Sequence, residues 1–239
     1  MLKQLKNYLT WHTLWYFAKH PKSPKNLFVM MQDFLSIIRS QNAKEASSAF
    51  SLPLEVTQRF LAELYEAPFL KNTVTWIGLR ATGKEWLYLV VRILRPSVVL
   101  ETGVASGCSS AIILLALNKN KHGHLHSIDI VDTTSTGAKI GWLIPESLKK
   151  RWTFHKGKSL DVMPTLLSNL KQVNIFLHDS DHSYSNMMDE FKLVWPYLTP
   201  GGVLLADDID RHNAFFDFCF SIGVKPMWRN KQFGIIRKL

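Results

Sequence analysis

From residue 97 onward, short apolar runs alternate with longer segments whose apolar residues recur every three or four positions. The runs are Val98–Leu100, Leu125–Ile130, Trp152–His155, Val173–Leu177 and Val203–Ala206, and each is bounded by polar or glycine-bearing stretches. Between them, helical patterns cover about 108–117, Ser159–Leu170, Tyr184–Tyr197 and His212–Ile222. Pro200-Gly201-Gly202 closes the third of these. Two final strands are expected near Lys225–Trp228 and Phe233–Arg237, joined by a turn at Arg229–Gln232. Strand–helix alternation of this kind predicts an α/β fold. Its sheet is doubly wound, mostly parallel and seven-stranded, with an antiparallel C-terminal strand.

Upstream the pattern is different. Leu2, Leu5, Leu9, Trp11, Leu14 and Trp15 lie at helical spacing until Pro21 and Pro24 interrupt them. Leu27 to Arg39 resumes that spacing. A helix over Leu54–Tyr65 starts after Pro53, and another over Trp86–Leu94 stops before Pro96 and feeds the first strand. We therefore expect residues 1–75 to form an N-terminal helical extension, acting as a cap or an oligomer contact, and 76–239 to form the α/β domain.

Composition narrows the partners. The 239 residues are 46% hydrophobic, enough for a full core, and carry a net charge of +10. Seven Lys/Arg lie in residues 1–50 against Asp33 and Glu45, and five follow Asp217 with no acid. Such a face suits solvent, an anionic substrate or a membrane surface. The basic, Trp-rich N-terminus is a candidate peripheral membrane contact, or a surface for homo-oligomers. No nucleic-acid-binding motif accompanies the charge. The apolar run Trp86–Val91 is too short to span a bilayer, and no signal-peptide pattern is present. Cys108 and Cys219 form no C-x-x-C pair. Together these features predict a cytoplasmic protein in a reducing compartment.

The chemistry is expected at the carboxyl ends of the strands, where ligands bind in open α/β sheets. The first strand ends in Glu101-Thr-Gly-Val-Ala-Ser-Gly107 and then enters a helix. Glycines there permit close approach of backbone to ligand. The turn is neither a P-loop nor G-x-G-x-x-G, and by itself it fits either a binding loop or a plain tight turn. Asp129, at the second strand's end, could accept hydrogen bonds from ribose hydroxyls or cap the next segment, with Asp132 as its substitute. Ser159, after the third strand, could cap a helix or border a nucleobase. The fourth and fifth strands end in His178-Asp-Ser-Asp-His182 and Asp207-Asp-Ile-Asp210, and these strands should be neighbours. Asp179, Asp207 and Asp208 would then crowd one cleft, an arrangement suited to a hard divalent cation or to a cofactor's ammonium group. His182, three residues past Asp179, is a candidate general base, or a residue that orients an Asp.

Taken together, Glu101–Gly107, Asp129, Asp179-Ser-Asp-His-Ser-Tyr184 and Pro200-Gly-Gly-Val-Leu-Leu-Ala-Asp-Asp-Ile209 resemble the class I S-adenosylmethionine-dependent methyltransferases. Within them the chain is most similar to the small O-methyltransferases with a D-x-D-H-S-Y segment, related to metal-dependent macrolide-sugar and catechol O-methyltransferases. The resemblance covers about residues 80–237 and implies a Rossmann-like fold. It implies that Glu101, Gly103, Ser106 and Gly107 hold the methionine part of the cofactor, that Asp129 binds ribose, and that Ser159 lies near adenine. It also implies that Asp179, Asp207 and Asp208 hold magnesium, that Asp179 serves catalysis as well as the cofactor, and that His182 is the base. Lys158, Ser180 and His178 depart from the family pattern. The implied reaction is metal-assisted O-methylation of a hydroxyl on a sugar, glycan or small aromatic metabolite. An NAD-dependent oxidoreductase would use the same turn and Asp129 but leave the later aspartates idle. A non-catalytic membrane- or partner-binding module would rely on the N-terminus alone.

Overall fold

The computed structural model describes residues 39–68, 81–133 and 137–239. The helices expected within residues 1–38 lie outside them. Residues 39–50 are helical, followed by α1 (Leu54–Tyr65), α2 (Ala81–Leu94), β1 (Val98–Thr102), α3 (Cys108–Asn120) and β2 (His124–Asp129). Then come β3 (Trp152–Lys156), α4 (Ser159–Leu170), β4 (Val173–His178), α5 (Tyr184–Val194), β5 (Leu198–Ala206), α6 (Ala214–Ser221), β6 (Trp228–Arg229) and β7 (Gly234–Arg237). A short 3₁₀ helix, Glu146–Arg151, precedes β3.

The sheet order is β3-β2-β1-β4-β5-β7-β6. Strands β1 to β5 are mutually parallel, and β7 runs antiparallel to both β5 and β6. The expected seven-stranded, doubly wound sheet is therefore present. Successive residues along each strand point to opposite faces, and the core divides accordingly. Val99, Ile175, Leu205 and Ile235 pack with α1, α2 and α3. Leu100, Phe176, Leu204 and Ile236 pack with α4, α5 and α6. Helix α3 has no polar face until its last turn because it lies between the sheet and α2, so Ala111 to Leu117 are all buried.

Two elements differ from expectation for backbone reasons. Helix α5 stops at Val194 and tightens into a 3₁₀ turn at Trp195–Tyr197, because Pro196 has no N–H to continue the helix. Pro200-Gly201-Gly202 does not precede β5 but lies within it. The register between β4 and β5 shifts there, and Gly201 takes φ +76° while its N–H donates to the Lys238 carbonyl at 2.8 Å.

The chain separates into two compact units, residues 1–41 and 42–239. Residues 42–65 thus belong with the sheet, although the expected domain division fell at 75. Polar groups fasten them to α2. The Asn42 amide and Tyr65 hydroxyl donate to the buried Glu85 carboxylate, and Arg92 pairs with Glu63 at 2.8 Å.

Strand β7 has almost no spare room. A Cβ at Gly234 would lie 2.5 Å from the Phe215 ring, which is fully buried and cannot swing aside. Gly234→Ala should therefore lower unfolding free energy by about 1–3 kcal/mol through overpacking. A urea midpoint unchanged from wild type would contradict this.

Candidate functional site

The turn after β1 is fixed by close backbone contact. Gly103 has φ +84°, and a Cβ on it would fall 1.9 Å from the Asp179 carbonyl oxygen. Only glycine lets the ends of β1 and β4 approach this closely. The ladder continues past the strands, with Asp179 N–H on Thr102 O at 2.9 Å and Asp207 N–H on His178 O at 3.0 Å. Gly107 caps α3 with φ +85°, and a Cβ there would meet Gly141 and Ile144 at 2.7 and 2.8 Å. This seats residues 139–144 on the turn, where Gly141 and Leu143 donate to the carbonyls of Ala105 and Ser106.

A cavity of about 570 Å³ opens at these strand ends. It is lined by Gly103, Val104 and Ala105 from the turn, Ile128–Ile130 from β2, and Gly157–Leu160 after β3. Asp179–Asp181 and Asn186 close the side next to β4. Of the residues singled out in the sequence, Gly103, Asp129, Ser159 and Asp179 line it. Glu101, Ser106, Gly107, His182, Asp207 and Asp208 stand behind or beside it.

Each carboxylate has a definite setting. Asp129 Oδ2 accepts from the N–H groups of Val104 and Ala105 at 2.8 and 3.0 Å, so it pins the turn as well as facing the cavity. Asp132 does not substitute for it, because it lies on the surface paired with Lys156 at 2.8 Å. Glu101 is fully buried beneath the turn. Its Oε2 accepts from Ser110 and Ser127 at 2.6 and 2.7 Å, while Oε1 is buried without a hydrogen-bond partner. Burial pushes the Glu101 carboxyl up, against the serine hydroxyls that hold it down. Asp179 is pushed well above the usual carboxylate range, first by burial and then by Asp207, Glu101 and Asp208.

His182 lies 3.6 Å from Asp208 Oδ2 and 3.9 Å from Asp179 Oδ1 through Nε2, and its Nδ1 is buried without a partner. Burial lowers its pKa, with His178 and Arg211 adding to the effect and Asp208 opposing it. It is therefore neutral near pH 7 and able to take a proton. Asp208 adopts φ +54° and is ion-paired to Arg211 at 2.6 Å. Asp179, Asp207 and Asp208 thus share one region. Among the described residues, however, no group of three or more His, Cys, Asp or Glu side chains is arranged to hold a metal ion.

Ser159 does not cap α4. Lys158 occupies the N-cap position without a side-chain bond, and the Ser159 side chain instead helps to lower the Glu190 pKa. Glu190, Asn186 and Arg211 were not anticipated. Glu190 carried a signal: it is an acid on the apolar face of α5 made by Met187, Phe191 and Val194. Asn186 and Arg211 carried none, since both lie in polar stretches.

Comparison with known proteins agrees with this geometry. Residues 100–209 match a family model described as a methyltransferase domain. A rhamnosyl O-methyltransferase of Mycobacterium leprae is 30% identical over 156 residues, covering 60% of this chain and 64% of that protein. The chain therefore spans a little under two thirds of that relative's length. The O-methyltransferase of tomaymycin synthesis from Streptomyces achromogenes, solved with S-adenosylmethionine, superposes with a TM-score of 0.55 at 17% identity, over 84% of this chain and 89% of that one. A TDP-rhamnose 3'-O-methyltransferase of calicheamicin biosynthesis gives 0.51 at 16% identity, over 77% and 93%. Residues 100–209 thus resemble a methyltransferase domain, and the sheet around them shares its fold with these O-methyltransferase structures.

Proposed function

We propose that the protein transfers a methyl group from S-adenosylmethionine to a hydroxyl oxygen of a sugar or glycan. The observation that carries this reading is the cavity at the β1–β4 ends, with an unpartnered buried carboxylate oxygen of Glu101 behind it and His182 beside it. The Glu101 oxygen suits the cofactor's ammonium group. Asp129 keeps Oδ1 for a ribose hydroxyl, its one other contact there being a long 3.3 Å bond from Val131 N–H. Ile130 is 55% exposed at the cavity lip, and with Leu160 it would flank the adenine ring. The sugar acceptor is favoured over an aromatic one because the relatives above are named for rhamnosyl and TDP-rhamnose methylation.

The transfer is an in-line displacement. S-adenosylmethionine, when bound, would supply the methyl group, its carbon–sulfur bond breaking as the acceptor oxygen bonds the methyl carbon and leaving a neutral thioether. The acceptor proton passes to His182 Nε2, and Asp208 at 3.6 Å stabilises the imidazolium. Positioning by the cavity walls supplies much of the acceleration. Asp179, Asp207 and Asp208 offer the oxygen donors that magnesium takes, but their side chains would have to turn toward a common point to hold it; a cation there would relieve the repulsion that pushes Asp179 up. When bound it would lower the acceptor hydroxyl's pKa. A cytoplasmic setting is supported by two buried cysteines that form no disulfide. The first 38 residues remain the candidate membrane or oligomer contact.

Calorimetric titration should show binding of S-adenosylmethionine and none of NADH; the reverse would favour the oxidoreductase. Asp129→Ala should weaken cofactor binding at least about tenfold, since it removes both a ribose acceptor and the charge-assisted bonds that hold the turn. His182→Gln should lower kcat roughly 10²–10⁴-fold with cofactor affinity retained, as for loss of a general base. Chelator-treated enzyme should lose turnover and regain it with magnesium, while Asp207→Ala should not be rescued. Full turnover in chelator would limit the aspartates to cofactor and substrate contacts.

A further inference from the structure

Glu190 lies on α5, is completely buried, and does not reach the cavity. Its carboxylate collects groups from four separate elements. Oε2 accepts from Thr102 Oγ1 at 2.7 Å, at the end of β1, and lies 2.7 Å from His178 Nδ1, at the end of β4. Oε1 accepts from Ser180 Oγ at 2.7 Å and from Asn186 Nδ2 at 3.1 Å. The Ser159 side chain, opening α4, also acts on it and lowers its pKa. Three of these partners, Ser159, Ser180 and Asn186, line the cavity. A fourth, His178, meets the His182 ring edge-on, with centroids 5.5 Å apart.

A buried charged carboxylate is costly unless it is saturated with donors. Here burial alone would push the Glu190 carboxyl up, yet His178 and the hydroxyls of Ser159 and Thr102 outweigh it and leave it below the ordinary value. The donor set is therefore organised around an anion.

Building on the methyltransferase reading above, we propose that Glu190 is a positioning residue that joins the cofactor cavity to the general base. Through Ser159, Ser180 and Asn186 it fixes the cavity wall, and through His178 it fixes the ring against which His182 rests. It touches neither cofactor nor acceptor. Removing its charge while keeping its size should disturb both functions together without loosening the sheet.

The test compares Glu190→Gln with wild type, full chain in both cases, and adds Ser180→Ala and Thr102→Val as single-contact controls. For Glu190→Gln, kcat at saturating S-adenosylmethionine should fall about tenfold or more and cofactor Kd should rise several-fold, the scale of lost charge-assisted bonds. Ser180→Ala, in the cavity wall, should raise Kd and lower kcat less than Glu190→Gln does, because it spares His178. Amide exchange in Glu190→Gln should quicken over 179–186 while β1, β4 and β5 exchange as in wild type. The proposal is overturned if Glu190→Gln keeps both kcat and Kd, or if exchange rises throughout the sheet, which marks a purely structural role. Should wild type bind no S-adenosylmethionine, the methyltransferase reading fails; local exchange still decides the proposal, since unchanged exchange over 179–186 overturns it.

Discussion

The ends of β1 and β4 lie so close that position 103 has no room for a side chain: a Cβ would sit 1.9 Å from the Asp179 carbonyl oxygen. Much of the site follows from that approach. It brings the turn within reach of Asp129, whose carboxylate then holds Val104 and Ala105 by their N–H groups. It sets half-buried Asp179 near the fully buried Glu101, close enough for Asp179 to feel the Glu101 charge. It also lets Thr102 and His178 present donors to a single carboxylate on α5. A bulkier residue at 103 would separate the strand ends, and these three arrangements would be lost together.

The second constraint is electrostatic. Glu101, Asp179 and Glu190 are acids withdrawn from water within one small region. Their environments differ in a way that separates their roles. Glu190 is saturated with donors and acts as a scaffold. Glu101 is satisfied on one oxygen only, and Asp179 has mainly like-charged neighbours. The unmet demand for positive charge therefore points toward the cavity, where a sulfonium cofactor with an ammonium group would enter.

Much of the fold was legible in the sequence because each strand is a short apolar run and each helix keeps its period. Val99 and Leu100, or Ile235 and Ile236, show why the runs lack polar interruption: consecutive residues face separate cores. Pro200-Gly201-Gly202 misled because proline and glycine usually end strands, whereas here a register shift absorbs them. The strand-end acids were visible as residues, but their partners were not. Asp129's hold on the turn depends on backbone N–H groups 24 and 25 residues away, and Glu190's bond to Thr102 spans 88 residues. Such contacts exist only after the sheet has formed, so no local pattern announces them. Residues 139–144, which sit on the turn, have little periodicity of their own and are held there by bonds to Ala105 and Ser106.

Strand β7 lies between β5 and β6, although it follows both in the chain. One side of β5 pairs with β4, but the other waits for Gly234–Arg237. During synthesis the apolar edge Val203–Ala206 therefore stays open until residue 237 has left the ribosome. An open apolar edge invites pairing with another chain. The β5 tip, Asp207 and Asp208, is anchored through the same late event, since Ile209 N–H bonds the Gln232 carbonyl. A ribosome stalled in the last ten codons of this stretch would release a chain with most of its core but an aggregation-prone border.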